Sequence, residues 1–147
     1  MADTLIKIVI GVLLLLCGVQ DALKKKIFIW VIILGAVFVG ICIPFCEVLS
    51  IPDRMGGIAV GAGVIIISKA TGGKIGMGDG FLLCVTGLGL GFWGNLELFA
   101  IALFFAAMIA IILLSFRLVD RKKSIPFVPF LLIGYVFLII ASNKIGA

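Results

Sequence analysis

Two aspartates stand where long apolar runs end or begin. Asp79 closes the segment Gly76-Met77-Gly78-Asp79 in front of an apolar run, and Asp21 ends an earlier run. Ionisable side chains at a bilayer are costly and are therefore candidates for function. Two carboxyl groups in contact cannot both ionise cheaply, so such a pair tends to share one proton. One member can then activate a water molecule while the other protonates an oxyanion, which is the chemistry of peptide-bond hydrolysis.

The segment before Asp79 suits the approach of a peptide. Gly76 and Gly78 remove side chains where an extended substrate backbone must come close, and glycine permits backbone angles that other residues avoid. Main-chain groups of such a loop can pair with a peptide strand. We therefore assign Gly76, Met77 and Gly78 to an active-site loop and Asp21 and Asp79 to catalysis.

The composition is that of a membrane protein. Hydrophobic residues make up 64% of the 147 residues and charged residues only 13%, whereas a soluble globular chain is roughly half apolar. So few charged side chains could not cover a water-facing surface. The apolar runs lack the alternation of outer-membrane strands, so helices are the expected spanning elements. We predict a multi-pass, all-α protein in contact with the lipid bilayer.

Charge and residue types exclude several functions. The net charge is +5, but the basic residues stand in short clusters between apolar runs, which is a signal of topology and not of nucleic-acid binding. The absence of histidine excludes imidazole catalysis and His metal sites. Cys42 and Cys46 are four apart, without the further ligands that a metal site needs, and a disulfide between them stays open. We expect no metal site and no nucleic-acid partner.

Six apolar runs predict about six transmembrane helices in one domain, residues 1–147. Five runs cover residues 5–19, 27–43, 55–68, 81–93 and 98–116, and the sixth opens at Pro126 and Pro129 and ends near Ser142. Six spans place nine of the twelve basic residues on one side, which the positive-inside rule assigns to the cytoplasm. These nine are Lys24, Lys25, Lys26, Lys69, Lys74, Arg117, Arg121, Lys122 and Lys123. Both termini are then outside, and both aspartates lie at the cytoplasmic level.

The polar segments between the runs predict the loops. Residues 44–53, with two prolines and two acids, indicate an outer loop, and Asn95 with Glu97 indicates a tight outer turn. Runs one, three and four are shorter than the roughly 20 residues of a full crossing. Either their polar ends dip into the membrane or short helices thin the bilayer. Four spans with re-entrant segments are an alternative.

Small residues inside the runs predict close helix packing. They recur at four-residue spacing in the third run and at two-residue spacing in the fourth: Gly57 with Gly61, Ala59 with Gly63, and then Gly87, Gly89 and Gly91. No strand precedes the last three, so they do not indicate a dinucleotide-binding loop.

The residues alone leave a second function class open. An aspartate at a helix N-terminus caps free amides and suits the helix dipole, which would explain Asp79 without catalysis. It explains Asp21 poorly, because that carboxylate ends a helix. A small transporter or an assembly scaffold is therefore the alternative to a peptidase. Asp120 is expected to form ion pairs with its basic neighbours. The remaining acids are expected at exposed ends: Asp3, Glu47, Asp53 and Glu97.

Three segments resemble the type IV prepilin peptidases, which are membrane aspartic proteases named for a Gly-x-Gly-Asp motif. Gly76-Met77-Gly78-Asp79 matches that motif in full. Asp21, followed by basic residues and by Ile27, resembles the first catalytic region of the family. Ile125-Pro126-Phe127-Val128-Pro129-Phe130 is similar to the stretch that opens the last helix of the family. The resemblance extends over nearly the whole chain, with the three segments in the same order.

The resemblance implies a function and a location. Such a protein is an aspartic endopeptidase of the bacterial cytoplasmic (inner) membrane that removes the basic leader of type IV prepilins or pseudopilins, in pilus assembly or protein secretion. Asp21 and Asp79 would carry the chemistry, and no cofactor is needed in that family. The methyltransferase domain of bifunctional members has no counterpart here, so the chain is similar to the stand-alone members. Phe28-Ile29 replaces the usual Pro-Asn, and Gly80-Phe81 replaces the frequent Val-Lys, which leaves the identity of the substrate open.

Overall fold

A computed structural model describes residues 1–118 and 125–145. Its helices are α1 (Ala2–Lys24), α2 (Ile29–Cys42), α3 (Ile51–Ala70), α4 (Met77–Ser115) and α5 (Val128–Ile145), and a 3-10 turn, Ile43–Phe45, follows α2. Across these two ranges all regular structure is helical, as predicted. Asp120 and the basic residues Arg121, Lys122 and Lys123 lie outside the described residues.

Within the described residues, four helices are long and apolar enough to cross a membrane by length and composition, namely α1, α3, α4 and α5. The segment Ile29–Phe45 is apolar but shorter. A helix satisfies its own backbone hydrogen bonds, which the lipid interior requires. Large apolar side chains such as Trp30, Phe104 and Ile111 are exposed on the outside of the bundle, which suits contact with lipid.

The long helix α4 reverses direction at Gly91. This residue has φ 76° and ψ −176°, a left-handed conformation that favours glycine. Asn95 Nδ2 donates a hydrogen bond of 2.9 Å to the carbonyl of Leu83, and Thr86 Oγ1 donates one of 2.7 Å to Asn95 Oδ1. A straight helix would separate residues 83 and 95 by about 18 Å. The two halves of α4, residues 77–90 and 92–115, therefore lie side by side.

The position of this reversal corrects the predicted outer turn at Asn95 and Glu97. Glu97 is exposed, but Asn95 is fully buried and also donates 2.9 Å to the carbonyl of Gly57. Its polar side chain pairs with backbone groups inside the bundle and does not mark a loop. A buried amide is tolerated only with such partners.

Two neighbouring residues of α3 each bind one of the backbone groups that the reversal frees. Arg54 Nη1 donates a hydrogen bond of 2.8 Å to the carbonyl of Leu88, at the end of the first half of α4. Asp53 Oδ1 accepts one of 3.2 Å from the N–H of Phe92, at the start of the second half. The cation lies at a helix C-terminus and the anion at an N-terminus, so both charges suit the helix dipoles.

These contacts correct two sequence-based assignments. The predicted outer loop, residues 44–53, ends earlier than expected, because α3 begins at Ile51. Asp53 is half-buried and not an exposed end, and Arg54 is buried. Asp3 is also half-buried, whereas Glu47 is exposed as expected.

Glycines bring α3 and the first half of α4 into backbone contact, as predicted for Gly57 and Gly61. A Cβ atom at Gly57 would overlap the backbone of Gly87, and one at Gly61 would overlap the backbone and Sγ of Cys84. The second predicted pair does not pack in this way, because Ala59 is exposed and Gly63 faces open space. Close approach of this kind needs residues without side chains.

Helix α1 packs against α2, α4 and α5 and supplies much of the core. Its buried hydrophobic side chains are Ile6, Ile10, Leu13, Leu14 and Cys17. Gly89 of α4 is one of the predicted packing glycines, and a Cβ atom there would meet Ile10 and Ile6. Tyr135 of α5 donates a 2.6 Å hydrogen bond to the carbonyl of Lys7. The four cysteines are free, so Cys42 and Cys46 form no disulfide in this structure.

The glycine contact predicts a large difference between two substitutions in α3. Gly57→Val should lower the free energy of unfolding by about 1–3 kcal/mol, because overpacking forces rigid backbone to move. Gly63→Val is the matched control, since it introduces the same side chain on the same helix into open space. Thermal unfolding of the two purified variants in detergent measures the difference. Equal melting temperatures would contradict backbone contact at Gly57.

Candidate active site

A cavity of about 410 Å³ at one end of the bundle contains both predicted catalytic aspartates. Asp21 comes from the last turn of α1, and Asp79 comes from the first turn of α4. The segment before α4 and the segment before α5 complete the wall: Gly73, Lys74, Gly76, Met77 and Gly78 with Ile125, Pro126 and Phe127. The topology therefore places two residues that are 58 positions apart in sequence on the wall of one cavity.

Asp21 is held at the N-terminus of α5. Its Oδ2 accepts a hydrogen bond of 3.1 Å from the N–H of Val128, the first residue of that helix. Val128 is fully buried, so its N–H has no access to water and needs a protein partner. The neighbouring Pro129 has no N–H to offer. Asp21 thus ends α1 and caps α5, a tertiary contact that gives this carboxylate a structural role the sequence did not reveal.

Asp79 has a different environment. It is 9% exposed, similar to the 8% of Asp21, and its own N–H bonds the carbonyl of Gly76. Within residues 1–118 and 125–145 its carboxylate accepts no hydrogen bond, and it caps no helix. A Cβ atom at Gly76 would lie 2.9 Å from Asp79 Oδ2. The glycine therefore leaves room for the carboxylate at the cavity wall.

In the structure, the two glycines of the predicted active-site loop do not have the unusual backbone angles that the sequence analysis gave as their role. Gly76 has φ −62° and ψ 120°, which any residue adopts, and Gly78 lies within α4. Positive φ occurs instead at Gly72 and Gly73, where the chain turns between α3 and α4. Gly78 packs against Ile27, since a Cβ atom there would meet its side chain at 3.2 Å. The two glycines provide space and not unusual backbone angles. Met77 is exposed on the wall of the cavity.

Three lysines line the cavity, although the sequence analysis considered them only as signals of membrane topology. Lys25, Lys26 and Lys74 line the same wall as the two aspartates. Their ammonium groups place positive charge at the entrance to an acidic site, where they would repel a basic segment and attract an acidic one. Only the tertiary structure shows this placement, because Lys74 is remote in sequence from the other two.

A second cavity of about 260 Å³ adjoins the first through Asp79. It shares Lys74, Gly76, Ile125 and Phe127 with the first cavity, and its other walls are apolar: Val64, Ile67, Ile75, Phe99 and Leu103. Phe99 and Leu103 belong to the second half of α4, so the reversal at Gly91 brings them beside Asp79. The carboxylate thus stands between a charged chamber and an apolar one.

No family model, no curated protein and no solved structure matches this chain. The function of the site is therefore inferred from the chemistry of its own residues. Two buried carboxylates on the wall of one cavity of about 410 Å³ have room between them for a water molecule, and such a pair tends to share one proton. In the described residues no group of three or more Cys, Asp or Glu is arranged to hold a metal ion.

The cap that Asp21 provides to α5 predicts different effects of two substitutions. Asp21→Ala should lower the free energy of unfolding by about 1–2 kcal/mol, because the buried N–H of Val128 loses its partner. Asp21→Asn should stay within a few tenths of a kcal/mol of the original chain, since asparagine is as good a cap as aspartate. Denaturant unfolding in detergent measures both, with Glu47→Ala as the exposed control. Equal losses for the two Asp21 variants would contradict the cap.

Proposed function

We propose that this protein is an intramembrane aspartic endopeptidase. The observation that carries the proposal is the presence of Asp21 and Asp79, both buried, on the wall of one cavity. Burying two like charges together is costly, and among the described residues nothing pairs with the carboxylate of Asp79. A carboxylate kept in such a place is a candidate for catalysis.

The proposed mechanism uses the two carboxyl groups as one acid–base unit. They hold one proton between them and bind a water molecule in the cavity. The ionised carboxylate removes a proton from this water. At the same time, the oxygen of the water attacks the carbonyl carbon of the scissile peptide bond. The protonated carboxyl donates its proton to the carbonyl oxygen, which gives a neutral gem-diol. Collapse of this intermediate breaks the C–N bond, and the amine leaves with a proton returned from the pair.

The proposed substrates are membrane proteins of the type IV prepilin or pseudopilin class. The support is the resemblance of the Gly-x-Gly-Asp segment and of the segment Ile125-Pro126-Phe127-Val128-Pro129-Phe130, since residues of both line the cavity. Cleavage would remove a basic leader at the cytoplasmic face of the bacterial inner membrane. The lysines on the cavity wall would repel such a leader, so we place the leader outside the cavity and the scissile bond within it.

For the topology we propose six spans with both termini outside. The support is that residues 77–90 and 92–115 lie side by side, so that α4 contributes two crossings. Segment α2 adds the sixth, although it is short for a full crossing. This arrangement places Asp21 and Asp79 at the cytoplasmic end.

Cysteine labelling tests the proposed double crossing. In a variant that lacks the native cysteines, Thr71→Cys and Phe116→Cys should react with a membrane-impermeant maleimide from the cytoplasmic side, and Trp93→Cys from the outer side. The three positions are exposed and differ only in their place before, within and after α4. If residues 71 and 116 label from opposite sides, α4 crosses once and the six-span proposal is wrong.

Substitution of the aspartates tests the catalytic proposal. Asp79→Asn and Asp21→Asn should each lower the rate of leader cleavage by at least about 10²-fold, because general acid–base catalysis contributes roughly 10²–10⁴-fold. Purified protein in detergent is incubated with candidate prepilins, and the shortened product is followed by mass spectrometry. Asp21→Asn retains the cap of α5, so its loss of activity would not reflect unfolding.

Glu47→Gln is the matched control, since it neutralises an exposed acid that lines neither cavity. It should cleave at the original rate. If both aspartate variants keep full cleavage, the mechanism is wrong. If they also keep full biological function in cells, the alternative of a non-enzymatic transporter or scaffold takes its place.

A further inference from the structure

Lysines outnumber carboxylates on the wall of the cavity that holds both aspartates. Lys25, Lys26 and Lys74 line it together with Asp21 and Asp79. Two carboxyl groups that share one proton carry a single negative charge. Three positive charges and one negative charge leave the wall with a net charge of +2. The cavity therefore attracts anions, although both of its proposed catalytic groups are acids.

The chain directly after α1 fixes the position of Lys26. At Lys25 the backbone is left-handed, with φ 52°, and the N–H of this residue donates a hydrogen bond of 2.8 Å to the carbonyl of Asp21. Ile27 then packs against the start of α4, since a Cβ atom at Gly78 would meet its side chain at 3.2 Å. Lys26 is thus held between the C-terminus of α1 and the N-terminus of α4, where the cavity wall lies.

Lys74 reaches the cavity from the turn between α3 and α4. Gly72 and Gly73 have positive φ, and the N–H of Gly73 donates a hydrogen bond of 2.9 Å to the carbonyl of Ser68. The hydroxyl of Ser68, which is fully buried, donates a hydrogen bond to the carbonyl of Ile75. These two bonds tie the residues on both sides of Lys74 to the last turn of α3. The position of this lysine is therefore set by the fold.

Lys74 also lies beside the carboxylate that caps no helix. Both Lys74 and Asp79 line the larger and the smaller cavity. Within the described residues, the ammonium groups of Lys26 and Lys74 have no hydrogen-bond or ion-pair partner. Apolar side chains such as Phe81 and Phe127 complete the wall. Walls of low dielectric constant strengthen the field of the charges in such a cleft.

We propose that the peptide segment in this cavity carries a carboxylate close to the scissile bond, and that Lys26 and Lys74 bind this carboxylate. The inference rests on the proposed function and names the class of substrate. Charge-assisted hydrogen bonds would hold the acidic residue. The same lysines would repel a basic residue at that position, which adds to the specificity. The anion belongs to the substrate and not to a lipid, because a headgroup bound in this cavity would occupy the space of the scissile bond.

A competition between peptides tests the charge preference. Short peptides span the leader junction of a candidate prepilin, and each carries Glu, Gln or Lys at one position near that junction. They are mixed in equal amounts with the purified protein in neutral detergent, and mass spectrometry follows the cleavage of each. At low salt the Glu peptides should be cut about fivefold faster than the Gln peptides, which is the upper range for one exposed ion pair, and the Lys peptides should be cut most slowly. At about 1 M salt, where the Debye length is about 3 Å, the preference should largely vanish.

Two substitutions show whether the lysines of the cavity cause this preference. Lys74→Gln and Lys26→Gln should each lower the ratio of Glu to Gln cleavage rates by at least about twofold. Lys69→Gln is the matched control, because Lys69 is an exposed lysine in the last turn of α3 that lines neither cavity. It should retain the ratio of the original chain. If all three variants lower the ratio equally, surface charge in general causes the preference and the proposal is wrong.

A binding measurement separates this inference from the proposed function. Fluorescence anisotropy compares the Glu and Gln peptides on the Asp79→Asn chain, where the result does not depend on cleavage, and the Glu peptide should bind about fivefold more tightly. If the original chain cuts the Glu and Gln peptides at equal rates, the inference fails and the peptidase proposal survives. If the original chain cuts none of them, the peptidase proposal fails, and the anisotropy alone decides: equal binding overturns the inference, and tighter binding of the Glu peptide supports it. If phosphatidylglycerol added to the detergent abolishes the difference in binding, the lysines bind lipid headgroups and the inference is overturned.

Discussion

The reversal of α4 at Gly91 leaves backbone groups without helical hydrogen bonds in an apolar environment. A helix that breaks exposes carbonyl groups on one side of the break and N–H groups on the other, and each costs free energy if it is left without a partner. In lipid no water is present to compensate. Here Arg54 binds the carbonyl of Leu88 and Asp53 binds the N–H of Phe92. One charged dipeptide of α3 therefore binds one freed backbone group at each of the two helix ends.

The candidate site depends on that reversal. It turns the second half of α4 back along the first, so that Phe99 and Leu103 reach the chamber beside Asp79. Phe99 then meets Phe127 edge to face, with ring centroids 6.3 Å apart. Phe127 precedes Val128, whose N–H is bound by Asp21. A continuous series of contacts thus connects the break in α4 with the position of the first aspartate.

The close packing of α3 against α4 explains how Asp53 and Arg54 reach the backbone groups at the break. Gly57 and Gly61 let the backbone of α3 touch that of α4, and Asp53 and Arg54 lie one turn earlier on the same helix. Their short reach to Leu88 and Phe92 is available only at this interhelical distance. The buried Asn95 reinforces the arrangement, because it bonds both Gly57 of α3 and Leu83 of the first half of α4. Any side chain at Gly57 would therefore disturb the caps as well as the packing.

The sequence predicted the helical class and the membrane setting, because long apolar runs without alternation favour helices that can span lipid. The prediction that Asp21 and Asp79 act together stays a prediction, although both line one cavity. The sequence misplaced the turn in α4, since polarity is a poor guide where a buried Asn95 pairs with backbone groups. It also assigned Asp53 to an exposed end, although its partner is the N–H of Phe92, 39 positions away. Pairings of this kind are decided by tertiary packing and leave no local pattern in the chain.

The structural surroundings of the two aspartates differ. Asp21 caps α5, so its presence would be understandable in a protein without catalysis. Asp79 has no such role within the described residues, and its carboxylate lies buried at a cavity wall near a second carboxylate. The charge of Asp79 in the first turn of α4 suits the helix dipole, but burying that charge beside a like charge is costly. The buried carboxylate of Asp79, and not the capped one of Asp21, is therefore the stronger support for the proposed acid–base chemistry.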